Sequence, residues 1–336
     1  MVAKSVVIAV PDRGIRAHLS TQIGQLDDFR VVSQTADLMN TFTEVEQHQG
    51  SVVLIAQSLA SQPEFEVMRG LFSALDIRWL VLADGGGGPA PAQGSKSDLF
   101  ALSAEAAASQ LGAHLRSLTR SRTVPSPPKT RALAPAAATP QSNGIVLIGA
   151  STGGVDALLA VLRHFDNRCP PVLVVQHTGS GFGKSLAALL DRQCQARVCL
   201  VEQDMPLQAG NIYIGAGSGA HLVLQSGHTL RCGLQKGGNA CGHTPSVDVL
   251  FRSAVPVANR VSAALLTGMG RDGGSAMRAL RDAGAATIAQ DQATSVVFGM
   301  PRAAIEAGGA AEVLPLDQIG PALLTQSARQ ARREHI

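Results

Sequence analysis

The sequence has few aromatic residues. Phe, Trp and Tyr together make up 3% of its 336 residues, whereas 45% of the residues are hydrophobic. Any hydrophobic core must therefore consist mainly of Val, Leu, Ile and Ala side chains. A length of 336 residues favours two domains rather than one.

Cysteine is also scarce. The five cysteines are an odd number and contain no C-x-x-C pair, which argues against a disulfide framework and against a structural zinc site. No apolar run is long enough to span a membrane. The N-terminus, where Lys4 precedes only a short apolar run, lacks the pattern of a signal peptide. We therefore expect a soluble, cytoplasmic protein.

An excess of charge of either sign is missing as well. The net charge is +3, and residues 144–336 carry 16 basic and 13 acidic groups. Residues 1–120 carry 9 basic and 12 acidic groups. Because neither half is polybasic, the composition argues against a nucleic-acid partner.

In the N-terminal half, apolar runs typical of strands alternate with segments of helical spacing. This alternation predicts βαβ units, a parallel sheet and an α/β domain over residues 1–120. The predicted strands are 4–10, 29–32, 52–56, 78–83 and a weaker one near 99–102, and the predicted helices are 15–23, 38–48, 64–75 and 105–118.

The order of these elements resembles a response-regulator receiver domain. Such domains hold Mg²⁺ with an acidic pair after the first strand and carry a phospho-accepting Asp after the third. Here the first position reads Pro11-Asp12, the third strand ends in Ala56, the fourth ends in Ala83, and no Lys lies near Leu102. Alanine accepts no phosphate, and Mg²⁺ needs more than one oxygen ligand. We interpret this half as a pseudo-receiver, a receiver-like domain without phosphorylation chemistry that serves in docking or orientation. The alternative is an unrelated small α/β domain.

A Pro/Ala-rich segment follows. Residues 121–143 contain five prolines separated by alanines and basic residues, and they hold no acidic residue. Such a segment cannot form a core and is typical of an extended linker. We therefore predict a domain at 1–120, a linker at 121–143 and a second domain at 144–336.

In the second half, three buried strands each end in a polar residue. Ser151 lies in the glycine-rich turn that follows the strand 145–148 and leads into a helix. The strand 171–177 ends in His177, and a strand and glycine-rich turn that start at Ala263 lead to Asp272. In parallel α/β sheets the ligand crevice lies outside the carboxyl ends of the strands, so neighbouring strands would bring these side chains together. A Ser hydroxyl, an imidazole that takes its proton and a carboxylate that orients the imidazole form a nucleophilic triad.

Each of these residues also has a structural interpretation, because Ser151 could be a helix cap, His177 a hydrogen-bonded core residue and Asp272 a turn residue. A nucleotide site is the chemical alternative, suggested by Gly149-x-x-x-Gly153-Gly154. However, the sequence has neither G-x-G-x-x-G nor G-x-x-x-x-G-K-[ST].

Six segments in order resemble the catalytic domain of the chemotaxis protein-glutamate methylesterases, the CheB family. These segments are Ile148–Gly154, Val175–His177, Gly181–Phe182, Pro245–Phe251, Leu266–Gly273 and Asp291–Pro301. The resemblance covers residues 144–319. It implies two doubly wound parallel-sheet α/β domains, a receiver-like one and a Rossmann-like methylesterase, joined by the Pro/Ala-rich linker.

The same resemblance implies roles for individual residues. Ser151 would be the nucleophile, His177 the base and Asp272 its partner, with backbone N–H groups at Thr152 and Met269 as candidate oxyanion donors. His243 and Asp248 are candidates for lining the approach, although they could equally be loop and cap residues. The family commonly has Met and prolines after its His, where this sequence has Thr178-Gly179-Ser180.

The implied reaction demethylates glutamate methyl esters on the cytoplasmic helices of methyl-accepting chemoreceptors and releases methanol, in a pathway for chemotaxis or pilus-driven motility. The family also implies deamidation of glutamines. No metal or organic cofactor is required. Residues 1–120 could bind other chemosensory proteins, and we expect no membrane insertion. The alternative is a catalytically silent scaffold that binds receptors without turnover.

Overall fold

The computed structural model describes most of both halves of the chain. The described residues are 3–48, 51–62, 65, 68–69, 72, 77–83, 101–103, 108–119, 144–178, 182–227 and 229–333. They fall into two compact units, Met1–Pro127 and Pro128–Ile336. The predicted helix at 64–75 lies mostly outside the described residues, as do the Gly-rich segment 84–89 and the linker 121–143.

The first unit is an α/β sheet with helical connections. Its elements are β1 (Lys4–Ala9), α1 (Arg13–Gly24), β2 (Phe29–Thr35), α2 (Leu38–His48), β3 (Val52–Ala56), α3 (Gln57–Ala60), β4 (Arg78–Ala83), β5 (Ala101–Ser103) and α4 (Ala108–Leu118). The strand order is β2-β1-β3-β4-β5, and every pair is parallel. This order is one of the two common doubly wound arrangements.

Sequence periodicity located these strands well, with small shifts at the ends of β1 and β5 and a larger one at the end of β2. Strand β2 continues to Thr35 rather than ending at Val32, because Ser33, Gln34 and Thr35 pair with β1 beyond a register shift. β2 lies at the edge of the sheet, where polar residues are tolerated because one side of the strand has no partner strand. The core on one face of the sheet is mainly aliphatic, with Ile8 and Leu54 among its fully buried members and Phe29 as an aromatic one.

The second unit begins with alternating strands and helices. Its elements up to the middle are β6 (Ile145–Ala150), α5 (Gly154–Leu162), β7 (Val172–Gln176), α6 (Phe182–Gln193), β8 (Arg197–Leu200), β9 (Met205–Pro206), β10 (Asn211–Gly215), β11 (His221–Gln225) and β12 (Arg231–Gln235). They continue with α7 (Val247–Ser253), a 3-10 helix (Val255–Arg260), β13 (Val261–Leu265), α8 (Gly274–Asp282), β14 (Ala286–Gln290), α9 (Met300–Glu306), β15 (Glu312–Leu314) and α10 (Leu316–Arg333).

The main sheet of this unit has seven strands in the order β15-β14-β13-β6-β7-β10-β8, and all of its pairs are parallel. The α/β fold class expected from the sequence is confirmed. A three-stranded antiparallel sheet, β11-β12-β9, is an addition that the strand pattern did not predict. The three strands with polar ends, β13, β6 and β7, lie side by side in the centre of the main sheet. Their carboxyl ends therefore lie together at one edge of the sheet, where parallel α/β sheets have their ligand crevice.

Candidate active site

Ser151 lies at a sharp connection between β6 and α5. Gly153 has a φ of 74°, a left-handed conformation that glycine adopts readily, and α5 begins at the next residue. The backbone N–H of Ser151 donates to the carbonyl oxygen of Thr267, 3.0 Å away. Thr267 follows β13 closely, so this bond fixes the position of Ser151 between two strand ends.

Small residues leave space around Ser151. A Cβ on Gly268 would lie 2.7 Å from the Cβ of Ser151, and a Cβ on Gly153 would lie 2.7 Å from that of Val296. The backbone N–H groups of Thr152 and Met269 donate to no other group in the described part of the chain. They are therefore available to an external acceptor. The Met269 side chain is 65% exposed beside this turn.

His177 and Asp272 are in direct contact. His177 Nε2 lies 2.8 Å from Asp272 Oδ2, and both side chains are almost fully buried. The backbone N–H of His177 donates to the carbonyl of Ala150 at 3.0 Å, which joins the ends of β6 and β7. Among the described residues, the buried Nδ1 of His177 has no hydrogen-bond partner, Ser151 included. The second ring nitrogen is thus free to accept a proton.

The Asp272 carboxylate accepts four hydrogen bonds. Besides His177, the donors are Ser246 Oγ at 2.8 Å and the backbone N–H groups of Val247 at 2.7 Å and Asp248 at 2.9 Å. These N–H groups begin α7, where they lack partners within the helix. Burial opposes ionisation of Asp272, but the bond from His177 and those from Ser246 and α7 outweigh it and hold the pKa of this carboxyl below its usual value. Asp272 therefore stays ionised and sets which nitrogen of His177 carries the proton.

His243 packs flat against the ring of His177. The ring centroids are 3.8 Å apart and the planes differ by 10°. Burial, followed by the neighbouring His177, lowers the pKa of His243, and the charge of Asp272 opposes this shift. His243 consequently presents a neutral ring to His177 at neutral pH. Its stack restricts the rotation of the His177 ring.

Asp248 caps another helix. Its Oδ1 accepts from the backbone N–H of Ala276 at 3.0 Å, and its Oδ2 accepts from Ser275 Oγ at 2.9 Å, both at the start of α8. Cys241 Sγ donates to the same Oδ2 at 3.4 Å. These are the contacts of a helix cap, one of the two roles that the sequence left open for Asp248.

Cys241, Asp248 and Asp272 place three metal-ligand atoms within 4.8 Å of one another. The four carboxylate oxygens of the two aspartates already accept hydrogen bonds from protein donors. Burial and Asp248 also raise the pKa of the Cys241 thiol to about 11, which disfavours the thiolate that metals bind. We assign no cation to this cluster.

Sequence reasoning missed several residues that support the site. His221 Nδ1 accepts from the backbone N–H of Ser246 at 3.1 Å, while its Nε2 donates to the carbonyl of Gly238 at 2.9 Å. Thr267 Oγ1 donates to the carbonyl of Thr152 at 2.9 Å. Ser246 could have been found, because a Ser before an apolar helical segment is a typical N-cap. His221, the first residue of β11, has no local signal.

Comparisons with known proteins address the same region. The CheB methylesterase family model matches residues 146–323. A protein-glutamate methylesterase/protein-glutamine glutaminase of Pseudomonas aeruginosa is 32% identical over 349 residues, which cover 96% of this chain and 97% of that protein. The chain belongs to the CheB methylesterase family.

Other members of the CheB methylesterase family match the second unit alone. A Caulobacter vibrioides protein-glutamate methylesterase/protein-glutamine glutaminase is 44% identical over 184 residues, 54% of either chain. The crystal structure of the Thermotoga maritima CheB methylesterase catalytic domain matches with a TM-score of 0.52 and 36% identity, over 54% of this chain and 97% of that one. The chain thus aligns with only about half the length of several curated relatives, such as that of Caulobacter.

Proposed function

We propose that this protein is a serine hydrolase that removes methyl groups from glutamate methyl esters on chemoreceptors. The supporting observation is the adjacency of β13, β6 and β7. It brings Ser151 to one edge of the sheet with His177, whose Nδ1 is free while its Nε2 is held by Asp272. The names of the relatives give the substrate class.

The first half of the reaction follows from this geometry. Ser151 Oγ attacks the ester carbonyl, and His177 Nδ1 takes the hydroxyl proton as the C–O bond forms. Asp272 stabilises the resulting imidazolium through Nε2–H. The negative charge that develops on the carbonyl oxygen is met by the free N–H groups of Thr152 and Met269, a contribution of roughly 3–4 kcal/mol per donor.

The second half returns the enzyme to its starting state. His177 gives its proton to the departing methoxide. Methanol departs, and the acyl group remains on Ser151. Water then attacks this acyl group with His177 again as base, releasing a glutamate carboxylate and restoring the hydroxyl. A glutamine carboxamide can follow the same route with ammonia as leaving group. We include this activity because the relatives carry both names.

We further propose that residues 1–120 form a pseudo-receiver. The sheet order β2-β1-β3-β4-β5 supports this, while the phosphorylation residues expected of a receiver are missing. Asp12 Oδ1 accepts from the backbone N–H of Ile15 and so caps α1, and β3 and β4 end in Ala56 and Ala83. The Arg16 guanidinium donates to the carbonyls of Val10 and Pro11, at the place where receivers bind Mg²⁺.

The partners follow from this function. They are the helices of methylated chemoreceptors at the crevice and, for residues 1–120, another chemosensory protein. No helix within the described residues is long and apolar enough to cross a membrane. Action on the cytoplasmic part of a receptor would require a cytoplasmic location. No observation favours the silent scaffold that the sequence left open.

A fluorophosphonate probe tests the hydrolase assignment. The probe phosphonylates a serine only when a neighbouring base activates it, and peptide mapping then identifies the labelled residue. We expect stoichiometric labelling of Ser151 in the wild type and none in Ser151→Ala. Absence of labelling in the folded wild-type protein would reject the hydrolase and leave the scaffold.

A further inference from the structure

We propose that Gln176 is a positioning residue that holds Ser151 and His177 in the alignment that the reaction needs. The inference rests on the proposed hydrolase function. Gln176 is the last residue of β7, directly before His177, and its side chain is fully buried. It takes no part in the mechanism above, and the sequence analysis assigned it no role.

The carboxamide of Gln176 joins two loops. Its Nε2 donates to the carbonyl oxygen of Ser151 and to the carbonyl oxygen of His177, both at 2.9 Å. One carbonyl belongs to the turn after β6 and the other to the turn after β7. A single amide group therefore ties the backbone of the nucleophile to the backbone of the base.

The orientation of this carboxamide follows from its partners. Both carbonyls are acceptors, so only the NH₂ group can face them. The Oε1 atom then points the other way and has no partner among the described residues. It lies against Gly154, where a Cβ would collide with it. The missing side chain at Gly154 is what makes room for Gln176.

The unpaired Oε1 of Gln176 raises the question of why a carboxamide stands at this position. A buried acceptor without a partner destabilises a fold, and an apolar side chain of similar length, such as Met, would remove the unpaired oxygen. It would also take the Nε2 donor from the carbonyls of Ser151 and His177, so what the carboxamide supplies at this position is those two bonds. We infer that its two donated hydrogen bonds serve alignment, because Ser151 and His177 have no direct hydrogen bond to hold them together in this structure.

The reaction rate in such a site is sensitive to the alignment of the reacting groups. A displacement of about 1 Å between reacting groups can lower the rate about 100-fold. Without Nε2 the carbonyls of Ser151 and His177 lose the donor that they share. The backbone bond from His177 N–H to Ala150 still joins the strand ends, but the position of one turn relative to the other is less fixed. We therefore expect a loss in the rate of the chemical step, with little effect on substrate binding.

Two substitutions in the full-length protein test the inference. Gln176→Met fills the same space without donors, and Gln176→Glu replaces the donors with acceptors. For both we expect fluorophosphonate labelling of Ser151 to slow by at least about 10-fold. For p-nitrophenyl acetate we expect kcat to fall similarly while KM stays within about 2-fold. Circular dichroism and Tm verify folding.

Gln326→Met is the matched control. Gln326 is also a buried glutamine with an unpaired Oε1, but it lies on α10 and its Nε2 donates to Glu312 Oε1 at 2.8 Å. Its replacement removes a comparable bond away from the crevice. We expect wild-type labelling and wild-type kcat for this variant.

The pH dependence separates alignment from a general loss of stability. The Glu carboxylate would be repelled by two carbonyl oxygens, whereas its protonated form can donate one hydrogen bond. The ratio of the Gln176→Glu labelling rate to the wild-type rate should therefore rise as the pH is lowered from about 8 to about 6. The same ratio for Gln176→Met should stay constant.

The outcomes are distinct. Wild-type rates in both folded variants would overturn the role of Gln176 and leave the hydrolase assignment intact. No labelling of the wild type would overturn both. If neither variant folds, Gly154→Ala tests the same contact, because its methyl group displaces the carboxamide. A wild-type labelling rate in Gly154→Ala would overturn the role of Gln176, and a rate at least about 10-fold lower would support it.

Discussion

Two opposing influences act on the pKa of Asp272. It is buried, which favours the neutral acid, but four donors surround its two oxygens and lower its pKa. Because the carboxylate stays ionised, it accepts from His177 Nε2–H, and in the neutral imidazole Nδ1 is then the acceptor nitrogen. The chemistry proposed for Ser151 depends on this choice of tautomer.

Asp272→Asn is expected to lower kcat by about four orders of magnitude. An Asn of the same size keeps the packing, but its NH₂ group cannot accept from His177 Nε2–H, so the ring would adopt the wrong tautomer. Steady-state methanol release checks this expectation. The control is Asp291→Asn, in an exposed loop where Asp291 Oδ1 accepts from the backbone N–H of Thr294. A rate near that of the wild type would mean that Asp272 acts only as a hydrogen-bond acceptor for the N–H groups at the start of α7.

His243 is expected to act through its stacked ring and not through its charge. Its pKa lies below the usual value, so the ring is neutral at neutral pH and gains a proton only at lower pH. His243→Phe keeps a flat ring and should retain most of the activity at pH 7, whereas His243→Ala should lose about 10-fold because His177 can rotate. Equal rates for the two variants would reject the stacking role.

Helix α7 is the element on which the carboxylate depends. Ser246 is its N-cap: its Oγ accepts from the backbone N–H of Val249 at 3.4 Å and donates to Asp272. Two further N–H groups of the same helix start hold Asp272. The position of α7 and the ionisation of Asp272 are therefore coupled.

Ser246→Ala should lower both stability and turnover moderately. Loss of the N-cap costs about 1 kcal/mol of unfolding free energy. Turnover should fall by less than in Asp272→Asn, because three donors to the carboxylate remain. Urea titration and methanol release measure the two effects, and Ser253→Ala, which loses bonds at the far end of α7, is the control. A turnover loss as large as that of Asp272→Asn would contradict this expectation.

The sequence predicted elements where local patterns are strong. β3, β4 and α2 have the predicted bounds, and the polar ends of β6, β7 and β13 were visible because each follows a buried run. The sequence could not predict that His221 supports Ser246 or that His243 stacks on His177. Those contacts join segments far apart in the chain, so no local periodicity in the sequence predicts them. The antiparallel sheet was missed because β9 has two residues and β11 contains a buried His221.

The whole molecule consists of two units that each have their own sheet and core. The second unit carries every residue proposed for the reaction. The first has the strand order expected of a receiver, but β3 ends in Ala56 and Asp12 caps α1. On the proposed pseudo-receiver assignment, we expect that phosphorylation of this half does not regulate the protein.

Acetyl phosphate with Mg²⁺ should neither phosphorylate residues 1–120 nor change the esterase rate. A ligand that does not bind cannot shift an equilibrium between conformations. Intact-mass analysis and methanol release before and after treatment provide the measurement, with a phosphorylatable receiver as positive control. A stoichiometric, acid-labile phosphate on this half, accompanied by faster turnover, would show that another residue is the acceptor.

Methanol release from chemoreceptor membranes is the most direct test of the proposed activity. Membranes carrying receptors with radiolabelled methyl groups are incubated with the full-length protein or with Ser151→Ala, and volatile label is counted. We predict release by the wild type and none above background by the folded Ser151→Ala protein, because the proposed acyl intermediate forms on Ser151 Oγ. Equal release by the two proteins would contradict the assignment of Ser151, and no release by either would contradict the proposed substrate.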